Sequence, residues 1–96
     1  MAQERIVTEI DELRRRIDEI DRRLVDLLNA RAACALAIGQ AKKVAGMSVY
    51  QPDREAEVLT HVQTINQGPL DNGAMKRLFE RVIDEARRLE RLADVQ

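Results

Sequence analysis

Three charged residues fall on helical faces that the sequence otherwise fills with apolar side chains. In the segment before Gly46, apolar residues recur at steps of three and four, and Arg31 and Lys42 occupy positions of this repeat. Glu90 takes an inward position of the last predicted helix. A charge on an apolar face needs a counter-charge, a ligand or a proton. The alternatives are that the two cations extend to solvent, and that Glu90 is exposed at a frayed C-terminus.

The spacing of the two cations suits an anionic ligand. Arg31 and Lys42 are 11 positions apart, which on one helix is roughly 16 Å along the axis and about 20° around it. Long side chains that extend toward each other over this span leave a gap the size of a small anion. Arg14 lies beside the apolar positions and by itself is interpreted as a solvated charge. Arg54 and Glu55 fall in a first helical turn, where Glu55 suits the helix dipole.

A long first helix, predicted from about Thr8 to Lys43 with Thr8 and Asp11 as its capping pair, positions both cations. The segment has no proline, and its apolar residues form one stripe: Ile10, Leu13, Ile17, Ile20, Leu24, Leu27, then Cys34 or Ala35, and Ile38. A helix of roughly 36 residues is about 54 Å long, whereas a compact domain of this size has a radius of gyration of about 13 Å. The helix therefore needs a partner, and a second copy of the chain is the simplest one.

Two shorter helices follow, so we predict an all-α fold of long, short and medium helices, with residues 1–96 forming a single domain. Pro52 suits the first position of the second helix, and Gly68-Pro69 ends it. Asp71 or Asn72 can cap the third helix. The predicted inward positions are Ala56, Leu59, Val62 and Ile65 in the second helix, and Met75, Leu78, Phe79, Val82, Ile83, Ala86, Leu89 and Ala93 in the third.

The composition restricts the class of protein. Of the 96 residues, 45% are hydrophobic, 34% are charged and only Tyr50 and Phe79 are aromatic, which is typical of helical proteins. A net charge of −1 gives no general reason to expect binding to nucleic acid or to a membrane. The lone Cys34 excludes an internal disulfide, and neither a signal segment nor a membrane-length run is recognised, so we expect a cytoplasmic protein. No metal-ligand spacing or nucleophile–base pair emerges, and His61 is interpreted as a surface residue.

Five segments, in one order and spacing, resemble a known family. They are LRRRIDEIDRRLVDLLNAR (residues 13–31), AIGQAKK (37–43), VYQPDREAEVL (49–59), NQGPL (66–70) and LFERVIDEARRLE (78–90). Together they resemble the all-helical class of chorismate mutase, and they look most like the domain that also occurs fused to prephenate dehydratase. The resemblance covers nearly the whole chain.

The resemblance implies an intertwined homodimer with two active sites, each made from both chains. Arg14 would reach into the site of the other subunit. Arg14 precedes Arg31 by 17 residues, about 25 Å along the axis and about 100° around it, so one helix cannot bring both to the same small ligand. An antiparallel partner could bring Arg14 there. The other implied substrate-binding positions are Arg31, Lys42, Gln51, Arg54, Glu55, Ala86 and Glu90, of which Arg31, Lys42 and Glu90 are the expected catalytic residues.

Three of these positions are compared with the usual family pattern. Gln51 stands where the family often has an aspartate near the substrate hydroxyl, and its amide and backbone N–H can still contribute. Ala86 replaces a serine often found near a substrate carboxylate, so that contact is absent. Glu90 stands where many bacterial members have glutamine, and glutamate is a known variant. We expect these departures to affect affinity and to leave the reaction unchanged.

The implied reaction is the Claisen rearrangement of chorismate to prephenate in phenylalanine and tyrosine biosynthesis, which requires no cofactor, metal, nucleophile or general base. The enzyme holds a compact substrate conformer and stabilises the negative charge that develops on the ether oxygen. The implied roles are carboxylate binding by Arg14, Arg31 and Arg54, donation to the ether oxygen by Lys42 and a protonated Glu90, and positioning of the hydroxyl by Glu55 with Gln51.

Two other functions fit the same features. An isochorismate-pyruvate lyase has a related fold and much the same set of cations, so only a substrate test separates it from a mutase. A non-catalytic helical dimerisation or regulatory module is the second alternative, and it predicts that Arg31→Ala and Lys42→Ala leave function intact.

Overall fold

The computed structural model describes residues 1–48 and 50–95, and these form three α-helices with no strand. The helices are α1 (Ala2–Val44), α2 (Pro52–Ile65) and α3 (Asn72–Val95). The predicted all-α class and the order of long, short and medium helices are confirmed. Val49, in the predicted loop and the VYQPDREAEVL segment, and Gln96 lie outside the described residues. The chain divides into two compact units, Met1–Arg31 and a unit that begins at Ala32; that residues 1–96 form a single domain stays a prediction.

Helix α1 begins earlier than the sequence indicated. Its first residue is Ala2, so the predicted cap at Thr8 was wrong. The Thr8 hydroxyl instead donates a hydrogen bond of 2.9 Å to the carbonyl of Glu4, one turn before it. A threonine in a helix interior satisfies its hydroxyl in this way, and the same property makes threonine a good cap elsewhere. The residue type alone therefore does not fix the start of the helix.

The end of α1 is set by Gly46, as predicted. Gly46 has φ of 70°, a left-handed conformation that glycine adopts without a steric cost. The N–H of Met47 donates to the carbonyl of Lys42 at 2.8 Å, and the N–H of Gly46 donates to Lys43 at 3.1 Å. This pair of bonds is the Schellman arrangement, which satisfies carbonyls that the last helical turn leaves free. The chain thereby leaves α1 soon after Lys42.

Within Met1–Arg31, α1 has one apolar face and one charged face. Ile17, Ile20 and Leu24 of the predicted stripe are 54%, 52% and 49% exposed. On the opposite side, Arg22 and Arg23 approach the carboxylate of Glu19 at 2.6 and 3.4 Å. The hydrogen bond from Arg22 lowers the pKa of Glu19 below its ordinary value, with a smaller contribution from Arg23. The charged face is thus paired within the helix, whereas the apolar stripe is uncovered within this unit.

Among the described residues, α1 is also long and apolar enough to cross a membrane, judged by length and composition alone. The expectation that no such run exists was therefore too strong. One such helix is weak evidence, because the buried core helix of a soluble protein and a signal sequence near the N-terminus both pass the same test. The paired charges along one face of α1 are instead typical of an amphipathic helix.

In the unit that begins at Ala32, α2 and α3 pack on each other around Val62 and Ile83, which are only 6% and 8% exposed. Both residues lie on the predicted inward faces. Ala56 and Ile65, however, are exposed, so the predicted inward face of α2 was partly wrong. The side of α2 that is turned inward runs through Glu55, Val58, Leu59, Val62 and Gln63. A charged residue, Glu55, thus takes a position that the pattern of apolar residues had given to Ala56.

The starts of α2 and α3 follow sequence signals. Pro52 is the first residue of α2, as predicted, and Gln51 precedes it without a side-chain capping bond. Of the two predicted caps of α3, Asp71 is the one that acts: its Oδ1 accepts a hydrogen bond of 2.6 Å from the N–H of Ala74. A carboxylate here also interacts favourably with the helix dipole.

Candidate active site

Several predicted site residues are half-buried on α3 or near the start of α2. Ala86 and Glu90 are one turn apart on this helix, and both are half-buried. Glu55 of α2 faces α3 and is half-buried as well. Gln51 is also half-buried and precedes Glu55 by one helical turn. Its carbonyl accepts a hydrogen bond of 3.3 Å from the N–H of Glu55. Glu55 and Gln51 therefore lie near the start of α2, and Glu90 lies one turn beyond Ala86 on α3.

Glu55 is held on α3 by a residue that sequence analysis missed, Arg87. The Nε of Arg87 donates to Oε2 of Glu55 at 2.7 Å, and a second guanidinium nitrogen contacts Oε1. The two side chains are 26% exposed for Glu55 and 42% exposed for Arg87. The signal that could have revealed Arg87 is its spacing, since it follows the buried Ile83 by four residues and precedes Glu90 by three. It therefore lies on the inward face that those residues define.

Glu90 packs against the last turns of α1 at Gly39. A Cβ placed on Gly39 would lie 3.8 Å from Cδ of Glu90, an ordinary van der Waals distance, so the carboxyl group lies close to this turn of α1. Lys42 follows Gly39 by three residues and is half-buried, which agrees with its predicted inward position. Next to it, Lys43 forms an ion pair with Asp94 of α3. These contacts bring the C-terminal turns of α1 and α3 together within one unit.

A narrow cleft of about 30 Å³ lies beside Glu90. Its lining residues are Leu36, Gly39, Gln40, Lys43, Glu90, Ala93 and Asp94. This volume is about that of one water molecule, whereas pockets for small organic ligands measure some hundreds of Å³. This cleft, formed by described residues of the unit, is therefore too small to enclose a ligand of that size.

The remaining predicted site residues are Arg54, in the same unit, and Arg14 and Arg31, in the first unit. Arg54 is exposed, and its guanidinium approaches the carboxylate of Glu57 at 3.2 Å. Arg14 and Arg31 belong to the first unit, where Arg14 is exposed and Arg31 is half-buried. Within the unit that begins at Ala32, the predicted site residues that are half-buried are thus Lys42, Gln51, Glu55, Ala86 and Glu90.

The chemistry available to this group is hydrogen bonding and charge. Lysine and arginine side chains bind anionic oxygens, and a carboxyl group accepts a hydrogen bond when ionised or donates one when protonated. Among residues 1–48 and 50–95, no group of three or more histidine, cysteine, aspartate or glutamate side chains could hold a metal ion. The arrangement suits recognition of a small acid that also carries a hydroxyl or ether oxygen.

Comparison with known proteins agrees with the predicted resemblance. Residues 13–91 match the family model described as chorismate mutase type II. Bifunctional chorismate mutase/prephenate dehydratases from Stutzerimonas stutzeri and Neisseria gonorrhoeae are 42% identical over 83 residues and 44% identical over 86 residues. These alignments cover 81% and 85% of this chain but only 23% of each relative. The chain thus spans about a quarter of the length of these relatives.

A solved structure is similar as well. The structure of chorismate mutase (form II) from Thermus thermophilus has a TM-score of 0.83 and 29% sequence identity, and the match covers 86% of this chain and 94% of that one. The family model accounts for most of the sequence, and a structure with the family's name shares the fold. On both grounds, this chain belongs to the chorismate mutase type II family.

Proposed function

We propose that this chain is an isomerase that converts chorismate to prephenate in phenylalanine and tyrosine biosynthesis, and that it works as a homodimer in the cytoplasm. The observation that carries the proposal is the family match over residues 13–91. Every predicted site residue, from Arg14 to Glu90, lies within that range. The half-buried positions of Glu55, Lys42 and Glu90 support it further, since each is a polar group on an otherwise apolar face.

The proposed chemistry is binding and charge stabilisation. Chorismate has two carboxylates, which guanidinium groups bind with two parallel hydrogen bonds. As the C–O bond breaks, negative charge grows on the ether oxygen, and Lys42 and a protonated Glu90 donate hydrogen bonds to it. Glu55 accepts a hydrogen bond from the substrate hydroxyl and Gln51 assists it. Fixing the reactive conformer supplies the rest of the acceleration.

A second copy of the chain completes the proposed site. Two observations support this: the apolar stripe of α1 is about half exposed within its own unit, and the cleft beside Glu90 is too small for the substrate. Burial of the stripe against another α1 provides the driving force for association. The second copy contributes Arg14, which sits too far from Arg31 on one helix to bind the same ligand.

The test is to follow chorismate loss and prephenate formation with purified protein. Lys42→Ala should lower kcat by about 10²–10³-fold, the usual effect of removing a donor to a developing oxyanion. Lys76→Ala, which removes an exposed lysine near the start of α3, is the matched control and should keep full activity. Absence of prephenate would refute the proposal. Consumption of isochorismate with release of pyruvate, and none of chorismate, would indicate the lyase instead.

A further inference from the structure

The ion pair between Glu55 and Arg87 has features that an ordinary surface pair lacks. It joins residues 32 positions apart on two different helices, and it is partly buried. The other ion pairs of Arg87 and its neighbour Arg88 are local and longer, with Asp84 and Glu85 each at 3.7 Å. A guanidinium that contacts both oxygens of a carboxylate fixes the plane and direction of that group. Arg87 therefore restricts Glu55 to one orientation.

In the proposed function, Glu55 accepts a hydrogen bond from the substrate hydroxyl, and a fixed orientation of its carboxylate favours this contact. Each carboxylate oxygen can accept two hydrogen bonds, and Arg87 takes one at each oxygen, which leaves capacity for a substrate hydroxyl. An unpaired Glu55 would also repel a substrate that carries two carboxylates. The positive charge of Arg87 offsets this repulsion.

We propose that Arg87 is a positioning residue for substrate binding: it orients the Glu55 carboxylate toward the hydroxyl and neutralises its charge, so that a dianionic substrate binds beside it. This inference rests on the proposed function. A purely structural role, in which the pair only joins α2 to α3, makes a different prediction. It lowers stability when the pair is broken, and it leaves KM unchanged in protein that is still folded.

The test compares Arg87→Met with Arg88→Met, measuring kcat and KM for chorismate and the helical circular dichroism of each variant. Arg88→Met removes the same charge from the next residue, which is 65% exposed and does not contact Glu55. Arg87→Met should raise KM roughly tenfold, the scale of one charge-assisted hydrogen bond, with a smaller change in kcat. Arg88→Met should match the parent protein. Arg87→Lys keeps the charge but loses the two-point contact, so its KM should lie between those of the parent and Arg87→Met.

A double-mutant cycle with Glu55→Gln tests whether Arg87 affects KM through Glu55. Glutamine keeps a hydrogen-bond acceptor for the hydroxyl and has no charge to neutralise. In that background Arg87→Met should change KM by less than about twofold, because the group it serves is gone. An equal increase of KM in both backgrounds would overturn the inference, and so would a folded Arg87→Met protein with the parental KM. If Arg87→Met does not fold, Arg87→Lys is compared in the same two backgrounds with the same criteria.

The two proposals fail in distinguishable ways. A parent protein without turnover of chorismate refutes the proposed function, and the role of Arg87 falls with it. A parent protein with normal turnover, combined with an unchanged KM in the Arg87 variants, refutes only the role of Arg87.

Discussion

Leu24→Ala should weaken the proposed homodimer measurably, because Leu24 lies in the middle of the exposed stripe of α1. In one chain Leu24 is 49% exposed. The substitution removes three carbon atoms, each worth about 0.8 kcal/mol when fully buried. About half of that burial remains to be gained on association, so the loss is about 1.2 kcal/mol per chain. A symmetric dimer contains the site twice, so the dissociation constant should rise by about 50-fold.

Val25→Ala provides the matched control. Val25 is the next residue, is 56% exposed and lies about 100° around the helix from Leu24, away from the stripe. Alanine is also the better helix former, so this change should be neutral or slightly stabilising. Both variants remove aliphatic carbon from an exposed position of one helix, and they differ in whether that position faces the proposed partner.

The assay is urea unfolding followed by circular dichroism at protein concentrations that span two orders of magnitude. When folding is coupled to dimerisation, the unfolding midpoint rises with protein concentration, and the dissociation constant follows from that dependence. Leu24→Ala should lower the midpoint at every concentration, and Val25→Ala should not. The reasoning is refuted if the parent midpoint is independent of concentration, or if the two variants unfold alike.

Three further predictions concern the site and the end of α1. Glu90→Ala should lower kcat because it removes a donor to the ether oxygen, while Glu90→Gln, which has an amide N–H donor of similar shape, should keep activity; equal kcat for the two variants would exclude Glu90 as the donor. Arg14→Ala and Arg31→Ala should each be inactive, yet refolding them together should restore activity in verified heterodimers, where one site has both arginines; no recovery would argue against shared sites. Gly46→Ala should cost about 1–2 kcal/mol in thermal denaturation because its φ is 70°, whereas Gly39→Ala meets only ordinary contacts and should not lower stability.

Much of the fold could be predicted because helices leave strong local signals. The apolar steps of three and four, Pro52 at the start of α2 and Gly46 after α1 all act within a few residues of the feature they determine. The start of α1 was missed because the Thr8 hydroxyl can cap a helix or bond back to Glu4 inside one. A local pattern does not distinguish these two uses of the same group.

Site residues that interrupt an apolar helical face could be predicted from the sequence. A site residue defined by a contact between two helices could not. Lys42 and Glu90 stood out as charges on apolar faces, and both are half-buried. The spacing of Arg87 from Ile83 indicates the inward face, but only the packing of α2 shows that Glu55 is its partner. The same contact is made from the inward position that Glu55 takes in place of Ala56.

The uncovered apolar stripe of α1 affects how enzymatic activity depends on the concentration of the chain. If each working site needs two chains, the concentration of sites at low abundance grows with the square of the chain concentration, and specific activity falls on dilution. A cell that makes little of this protein then has disproportionately little flux through the reaction. Substitutions along the stripe would raise the chain concentration at which sites assemble without altering the chemistry of an assembled site.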